Sequence, residues 1–519
     1  MRQFFVINSF ALIIGTLTGF ASVKSPTMQS YHPPVFVDGD RLARIETLFP
    51  EIDARVEEFA AKNHFPGYAY GILLDGELVH SRTGGFTELD EKIPVTNRSM
   101  FRIASMTKSF TAMAIVKLRD EGKLRLDDPV SLYLPEMQNQ QLTDDAPVLT
   151  IRDLLTHSAG YPTDDPWGDR KLDETDEELR AFLKEGLFFS NPAGTTFEYS
   201  NLGYAMLGSI IKKVTGISYD AYIAEHIWQP LGMEDVSWDY PEVPRSQLAQ
   251  GYRWVDEEWQ EEELLKNGSF GAMGGMIASL ESFTQYVALH LSAWPPRDDA
   301  DTGLIKRSSL REMHQPFRFR ELAPNFKFGE GSQRAVTSAY GYGLHSLCDD
   351  LGRVFVGHSG GLPGFGSNWT IMPEYGLGVI LLANATYAPA NKMSLEILDK
   401  LAEKAQLKPR QLPPSAFLEE RRNGLVKLLP DWEGAAASGI FSANFFQDRS
   451  IDSWRKETKE LFAKAGKILS VGRLVPKSQS RGSFVIEGEN SDIEASFLLT
   501  PENPPLIQQV QMKEVEKGT

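Results

Sequence analysis

Strand-like sequence stands at both ends of a long helical middle, and no other feature of this 519-residue chain constrains its fold as strongly. The first such stretch is GYAYGILLDGELVHSRTGG, residues 67–85, whose apolar flanks meet at Asp75-Gly76. A two-residue type I′ turn needs positive φ at both central positions, and Asp-Gly tolerates that, so a hairpin is expected. Further strands are expected around Tyr340–Ser346, Arg353–His358, Asn368–Met372 and Gly378–Ala383. Between them, from about Asp127 to Leu291, the sequence reads as short helices with many Pro and Gly connections. Met106 to Glu121 has the pattern of a mostly buried helix, with Gly122 placed to end it. Arg41 to Asn63 is also helical in pattern, with Pro50 as a break or kink. The order implies a sheet built from both ends with helices inserted between, an α/β (α+β) arrangement of antiparallel sheet, flanking helices and a helical subdomain.

The chain is longer than one ordinary domain, and its ends differ from its middle. MRQFFVINSFALIIGTLTGFAS has a short basic start, an apolar run from Phe4 and small residues at Gly19 and Ala21. That is the layout of a secretory signal peptide, residues 1–21, and predicts a secreted or periplasmic protein. Asn8, Ser9, Thr16 and Thr18 dilute the run, which favours cleavage over an uncleaved anchor. No later segment is apolar for long enough to span a bilayer, so no integral membrane span is expected after cleavage. The main domain is expected at 22–405, a Pro-rich linker at 406–415 and a small α+β accessory domain at 416–519. In the last, a helix near Ala443–Ala465 precedes alternating stretches at Leu469–Val475, Gly482–Glu487, Asp492–Leu499 and Leu506–Met512. That plan is loosely similar to the cystatin-like or nuclear-transport-factor-like class, a likeness that carries no function.

Two serines compete for the role of nucleophile. Gly357-His358-Ser359-Gly360-Gly361 fits G-x-S-x-G, the strained elbow of α/β-hydrolases. In those enzymes the acid and the histidine follow the serine along the chain. The nine histidines end at His358, so a nucleophile at Ser359 has no downstream base. The alternative is Ser105-Met106-Thr107-Lys108 at the head of the apolar helix. At i and i+3 the hydroxyl and the amine share a helix face. Burial lowers a lysine pKa, and a neutral amine takes the serine proton. The spacing alone is weak, since Ser209/Lys212 and Ser453/Lys456 repeat it. What separates Ser105 is company: Tyr199-Ser200-Asn201 supplies a phenol for proton relay and an amide for a substrate carbonyl. The strand entering His358, Ser359, Gly360 and Gly361 then reads as a cleft wall, whose glycines let backbone approach the substrate. The Gly361 N–H is expected to pair with that of Ser105 as an oxyanion hole.

These three elements, in this order, resemble the serine β-lactamase and penicillin-binding-protein superfamily, and most of all its class C-like branch. LLTHSAG (Leu154–Gly160) and HSGGLPGF (His358–Phe365) add to the likeness, which covers roughly Leu42 to Ala405. The resemblance implies a β-lactamase/transpeptidase-like fold and an exported acyl-enzyme hydrolase. Its substrate would be a D-amino-acid peptide, as for DD-carboxypeptidases and D-aminopeptidases, or an ester. It makes Ser105 the acylated nucleophile, Lys108 and Tyr199 the proton-transfer pair, Asn201 a substrate-side amide and His358-Ser359-Gly360 the wall that β-lactamases write as Lys-Thr-Gly. A neutral His358 replaces a permanent charge there, which puts efficient β-lactam hydrolysis in doubt. A class C-like β-lactamase, and a catalytically silent penicillin-binding or sensor protein, are the alternatives.

Other chemistry finds little footing. The formal charge of −17 disfavours a nucleic-acid partner, which leaves a small-molecule or peptide substrate. There is no H-E-x-x-H and no cysteine cluster, so no metal and no cofactor is expected. Cys348, flanked by Asp349 and Asp350, has its thiol pKa raised and reads as structural, as does His157 in a turn before Gly160. Asn368-Trp369-Thr370 and Asn384-Ala385-Thr386 match the glycosylation pattern.

Overall fold

The computed structural model describes residues 31–517, so the leader expected at 1–21 lies outside the described residues. Among them, no helix is long and apolar enough to cross a membrane. Among the described residues, contacts divide the chain into a unit spanning Pro33–Gln411 and a second that begins at Leu412. The first unit closes inside the stretch expected as a linker. Val35 and Gln411 exchange backbone hydrogen bonds of 3.0 and 2.7 Å, and Leu407 is buried.

The larger unit is built on a nine-stranded antiparallel sheet. Its spatial order is Ile93–Pro94, Glu77–Glu88, Gly67–Leu74, Leu377–Ala383, Phe365–Met372, Val354–Leu362, His345–Asp349, Gln333–Tyr340, Arg318–Lys327. The sheet does draw on both ends of the region, because Gly67–Leu74 pairs with Leu377–Ala383 in the register Tyr68↔Ala383 to Leu74↔Leu377. The hairpin turn has φ of 54° at Asp75 and 94° at Gly76, both positive as the Asp-Gly pair predicts. Two apolar layers cover the faces. Phe49–Lys62 and Ala390–Lys404 pack on one, and Leu280–Ser292 packs on the other, in an apolar core shared with Thr107–Asp120 and Asn201–Thr215.

The structure departs from the sequence in several places. Tyr340–Ser346 is not a strand: Tyr340 ends one strand and His345 begins the next, with Gly343 at φ 69° in the turn between. The strand Arg318–Lys327 was not expected, because an edge strand exposed along most of its length carries no apolar alternation. Pro50 does mark a break: helices Arg41–Glu46 and Phe49–Lys62 are separate, and Pro50 sits in the first turn of the second, where its missing N–H costs nothing. The glycosylation pattern finds no surface: Asn368 is 4% exposed and Asn384 0%.

The smaller unit holds helices Ala416–Leu428 and Ile451–Ala465 and a five-stranded antiparallel sheet from Ile468 to Val515. The sheet's alternate residues Phe484, Ile486, Ile493, Ala495 and Phe497 pack with Trp432 and Trp454 in one core.

Candidate active site

The segment before the buried helix sets the site. Met100–Arg102 run as strand, Ala104–Met106 make a 3₁₀ turn, and Thr107–Asp120 continue as α-helix. Ser105 therefore sits in the tight turn just ahead of the helix rather than in its first α-turn. Ala104 holds φ at 52°, a left-handed conformation that costs a non-glycine residue about 1 kcal/mol or more. Tertiary bonds impose it. Ile103 N–H donates to the Met276 carbonyl at 2.9 Å, and the Ser367 hydroxyl donates to the Ile103 carbonyl at 2.7 Å.

Lys108 is 0% exposed and its amine is held on three sides. Nζ donates to Ser105 Oγ at 2.8 Å, to Asn201 Oδ1 at 2.7 Å and to the Met273 carbonyl at 2.9 Å. Burial lowers its pKa from 10.5 to about 8, while Asp165, Asp169 and Asp164 pull the other way. Neither of the other Ser-x-x-Lys pairs is built like this: Lys212 is exposed and bonded to Asp176, and Ser453 and Lys456 are both exposed.

Tyr199 and Asn201 arrive from the loop that opens the helix Asn201–Thr215. The Ser200 hydroxyl caps that helix by accepting from Gly203 N–H. The Tyr199 phenol lines the cleft together with Ser105, and its ring centre lies 4.9 Å from Lys108 Nζ. Burial raises the phenol's pKa well above its ordinary value, so it stays protonated. Asn201 bridges outward from Lys108, with its Nδ2 donating to the Asp165 carboxylate and, at 3.4 Å, to Asp169. His157 is structural, as expected, and its role is now specific: its Nδ1 accepts the Ser200 N–H at 3.1 Å, which fixes this loop.

The wall strand Val354–Leu362 brings His358, Ser359 and Gly361 to the same cleft as Ser105 and Tyr199. Ser359 lies within the strand, paired with Asn368, and not at an elbow. His358 is buried with both ring nitrogens engaged. Nδ1–H donates to the Ser359 carbonyl at 2.6 Å, and Nε2 accepts from the Tyr340 phenol at 2.9 Å. Burial and the nearby Lys108 push its pKa down to about 3, so the ring is neutral and carries no charge to the cleft. Gly360 is required for a different reason. A Cβ there would stand 2.2 Å from the Ile103 carbonyl oxygen and 3.0 Å from Ala104 Cβ. Only a glycine lets this strand back the turn that carries Ser105.

Several members of the site were not anticipated. Asp164 accepts the N–H groups of Asn201 and Leu202 at 2.6 and 2.8 Å, and burial raises its pKa. Asp169 is buried, accepts from the Tyr387 phenol at 2.8 Å, and is raised by burial to about 7. The run Asp164-Asp165-Pro166-Trp167-Gly168-Asp169, soon after LLTHSAG, is a signal for these carboxylates. Tyr387, Tyr340 and Met273 have none in sequence, because only the fold brings them there. Cys348 lies in a strand away from Ser105, half-buried, with burial and Asp349 raising its thiol pKa.

A protein-family model described as Beta-lactamase matches residues 52–403 of the chain. Protein flp of Staphylococcus aureus (strain MW2) is 29% identical over 344 residues, 65% of this chain and 64% of that protein's length. Beta-lactamase-like protein 2 of Dictyostelium discoideum is 27% identical over 389 residues, 73% of this chain and 67% of that protein. Among solved structures, the octameric penicillin-binding protein homologue from Pyrococcus abyssi aligns with a TM-score of 0.58 at 24% identity. That alignment covers 89% of this chain and 99% of the other. A penicillin binding protein from Bacillus halodurans aligns at 0.51 and 22%, over 66% of this chain and 98% of the other. At such identities the likeness to the solved structures is one of fold.

Proposed function

The chain belongs to the beta-lactamase family, and from that premise we propose that it is an exported serine hydrolase of the class C-like branch, working through an acyl-enzyme at Ser105. Its substrate is a D-amino-acid peptide, of the DD-carboxypeptidase or D-aminopeptidase type, or an ester. One observation carries the reading: the fully buried Lys108 amine lies 2.8 Å from the Ser105 hydroxyl.

In this mechanism neutral Lys108 takes the Ser105 proton as Oγ attacks the substrate carbonyl. With a pKa of about 8, about one Lys108 in ten is neutral at pH 7, against about one in 3,000 at 10.5. The N–H groups of Ser105 and Gly361 receive the oxyanion. Tyr199, kept protonated by burial and lining the cleft with Ser105, hands a proton to the departing amine or alkoxide and is recharged from Lys108. Water then releases the acyl group by the reverse proton path. Asn201 is fully buried, its Oδ1 accepting from Lys108 and its Nδ2 donating to Asp165, so it holds the amine in place rather than facing the substrate as a free amide.

Class C-like β-lactam hydrolysis is the weaker reading, because neutral His358 offers no charge to the carboxylate of a β-lactam. Intact-mass spectrometry after a fluorophosphonate probe tests the proposal. One adduct is expected, mapped to Ser105 and absent in Ser105→Ala. An adduct at Ser359, or none at all, overturns it, the second outcome favouring a silent penicillin-binding or sensor protein.

A further inference from the structure

The cleft, of about 530 Å³, does not end at the wall strand. It continues over Leu347 and Phe355 to the edge strand Arg318–Lys327, where Arg320, Glu321 and Phe326 line it. Arg320 is the one lysine or arginine among the residues lining this cleft. Its guanidinium is fixed on two sides. Nη1 donates to Nδ1 of His345 at 3.0 Å, and the group lies 4.8 Å from the centre of the Phe197 ring.

What it lacks is a carboxylate. Among the described residues Arg320 makes no ion pair, although Glu321 is the next residue along the strand. Arg318, two residues before it, is by contrast tied to Asp153 and to the Gly194 carbonyl. Acidic partners are not scarce in a chain with 70 Asp and Glu against 53 Lys and Arg. A guanidinium carries five donors in a rigid fork matched to a carboxylate, and one of Arg320's is used.

The place of this fork fixes what reaches it. The His345 ring lies 4.7 Å from the His358 ring, which lies 6.3 Å from that of Tyr199, a residue lining the cleft with Ser105. An anion bound at Arg320 is thus separated by a row of rings from a carbonyl attached at Ser105, and Leu347 and Phe355 add apolar surface to the cleft lining. We propose that Arg320 forms an anion subsite of this cleft. It receives a carboxylate that the substrate carries at the end of an apolar spacer, several bonds from the scissile carbonyl. The substrate role of the subsite rests on the reading of Ser105 given above.

The test compares p-nitrophenyl adipate monoester with p-nitrophenyl hexanoate, a charged and a neutral chain of similar length. Wild-type enzyme is expected to prefer the charged ester in kcat/KM, with the preference residing in KM and falling as salt is added. Arg320→Gln should lower the charged-to-neutral ratio at least tenfold, and Arg320→Lys should retain part of it. An unchanged ratio in an Arg320→Gln enzyme that still labels at Ser105 overturns the subsite. Calorimetric titration of adipate into Ser105→Ala protein separates this from the chemistry. Binding lost on adding Arg320→Gln supports the subsite whatever Ser105 does, and equal binding overturns it.

Discussion

Gly360→Ala isolates the contact that places the nucleophile. The added methyl carbon would stand 2.2 Å from the Ile103 carbonyl oxygen and 2.4 Å from Ser367 Oγ, where ordinary contact begins at 3.4 Å. The Ser367 hydroxyl can rotate away, but the Ile103 oxygen is backbone and already accepts from it. The wall strand or the Ile103–Ser105 turn must therefore retreat by about 1.2 Å. Overpacking of this kind costs about 1–3 kcal/mol of stability. The larger effect falls on chemistry, since a displacement of about 1 Å at a reacting group costs on the order of 10²-fold in rate. Ala104, already at φ 52°, has little freedom to absorb the shift. Stopped-flow labelling with a fluorophosphonate, beside thermal melts, reads both terms. The expected result is a folded protein with a modestly lower Tm and acylation slowed about a hundredfold. A Gly360→Ala protein that labels at the wild-type rate would refute the view that this strand sets the position of Ser105.

Three further outcomes follow from the same geometry. The acylation rate should rise with pH through a midpoint near 8, because only deprotonated Lys108 accepts the proton; a midpoint near 10.5 would mean an unperturbed amine. Asp169→Asn removes a negative charge that raises the Lys108 pKa, so the same pH–rate midpoint should move to lower pH, while a move upward would contradict the electrostatics. A fragment ending at Gln411 keeps every proposed catalytic residue, so it should fold by circular dichroism and label at Ser105; a folded fragment that no probe acylates would place part of the active site in the second unit.

Whatever depends on local pattern was legible in the chain alone. Asp75-Gly76 specified the hairpin because few pairs accept two positive φ values, and Gly122 ended the buried helix at φ 72°. The spacing of Ser105 and Lys108 put their polar atoms on one side of a turn, and the apolar residues after them foretold the burial that lowers the amine's pKa. With the last histidine at position 358, Ser359 has no base after it in the chain. The tertiary structure decided whatever depends on segments far apart in the chain. Gly360 looked like room for a substrate, yet it is room for Ile103 and Ala104. His358 looked like a polar head on the wall, yet Tyr340 and the Ser359 carbonyl occupy both of its nitrogens. Asp169 meets Tyr387 across 218 residues, and Arg320 reaches the cleft from an edge strand whose exposure left no periodic trace. A hydrogen bond between distant residues leaves no local pattern, because the sequence records each side chain's capacity to bond and only the fold supplies the partner.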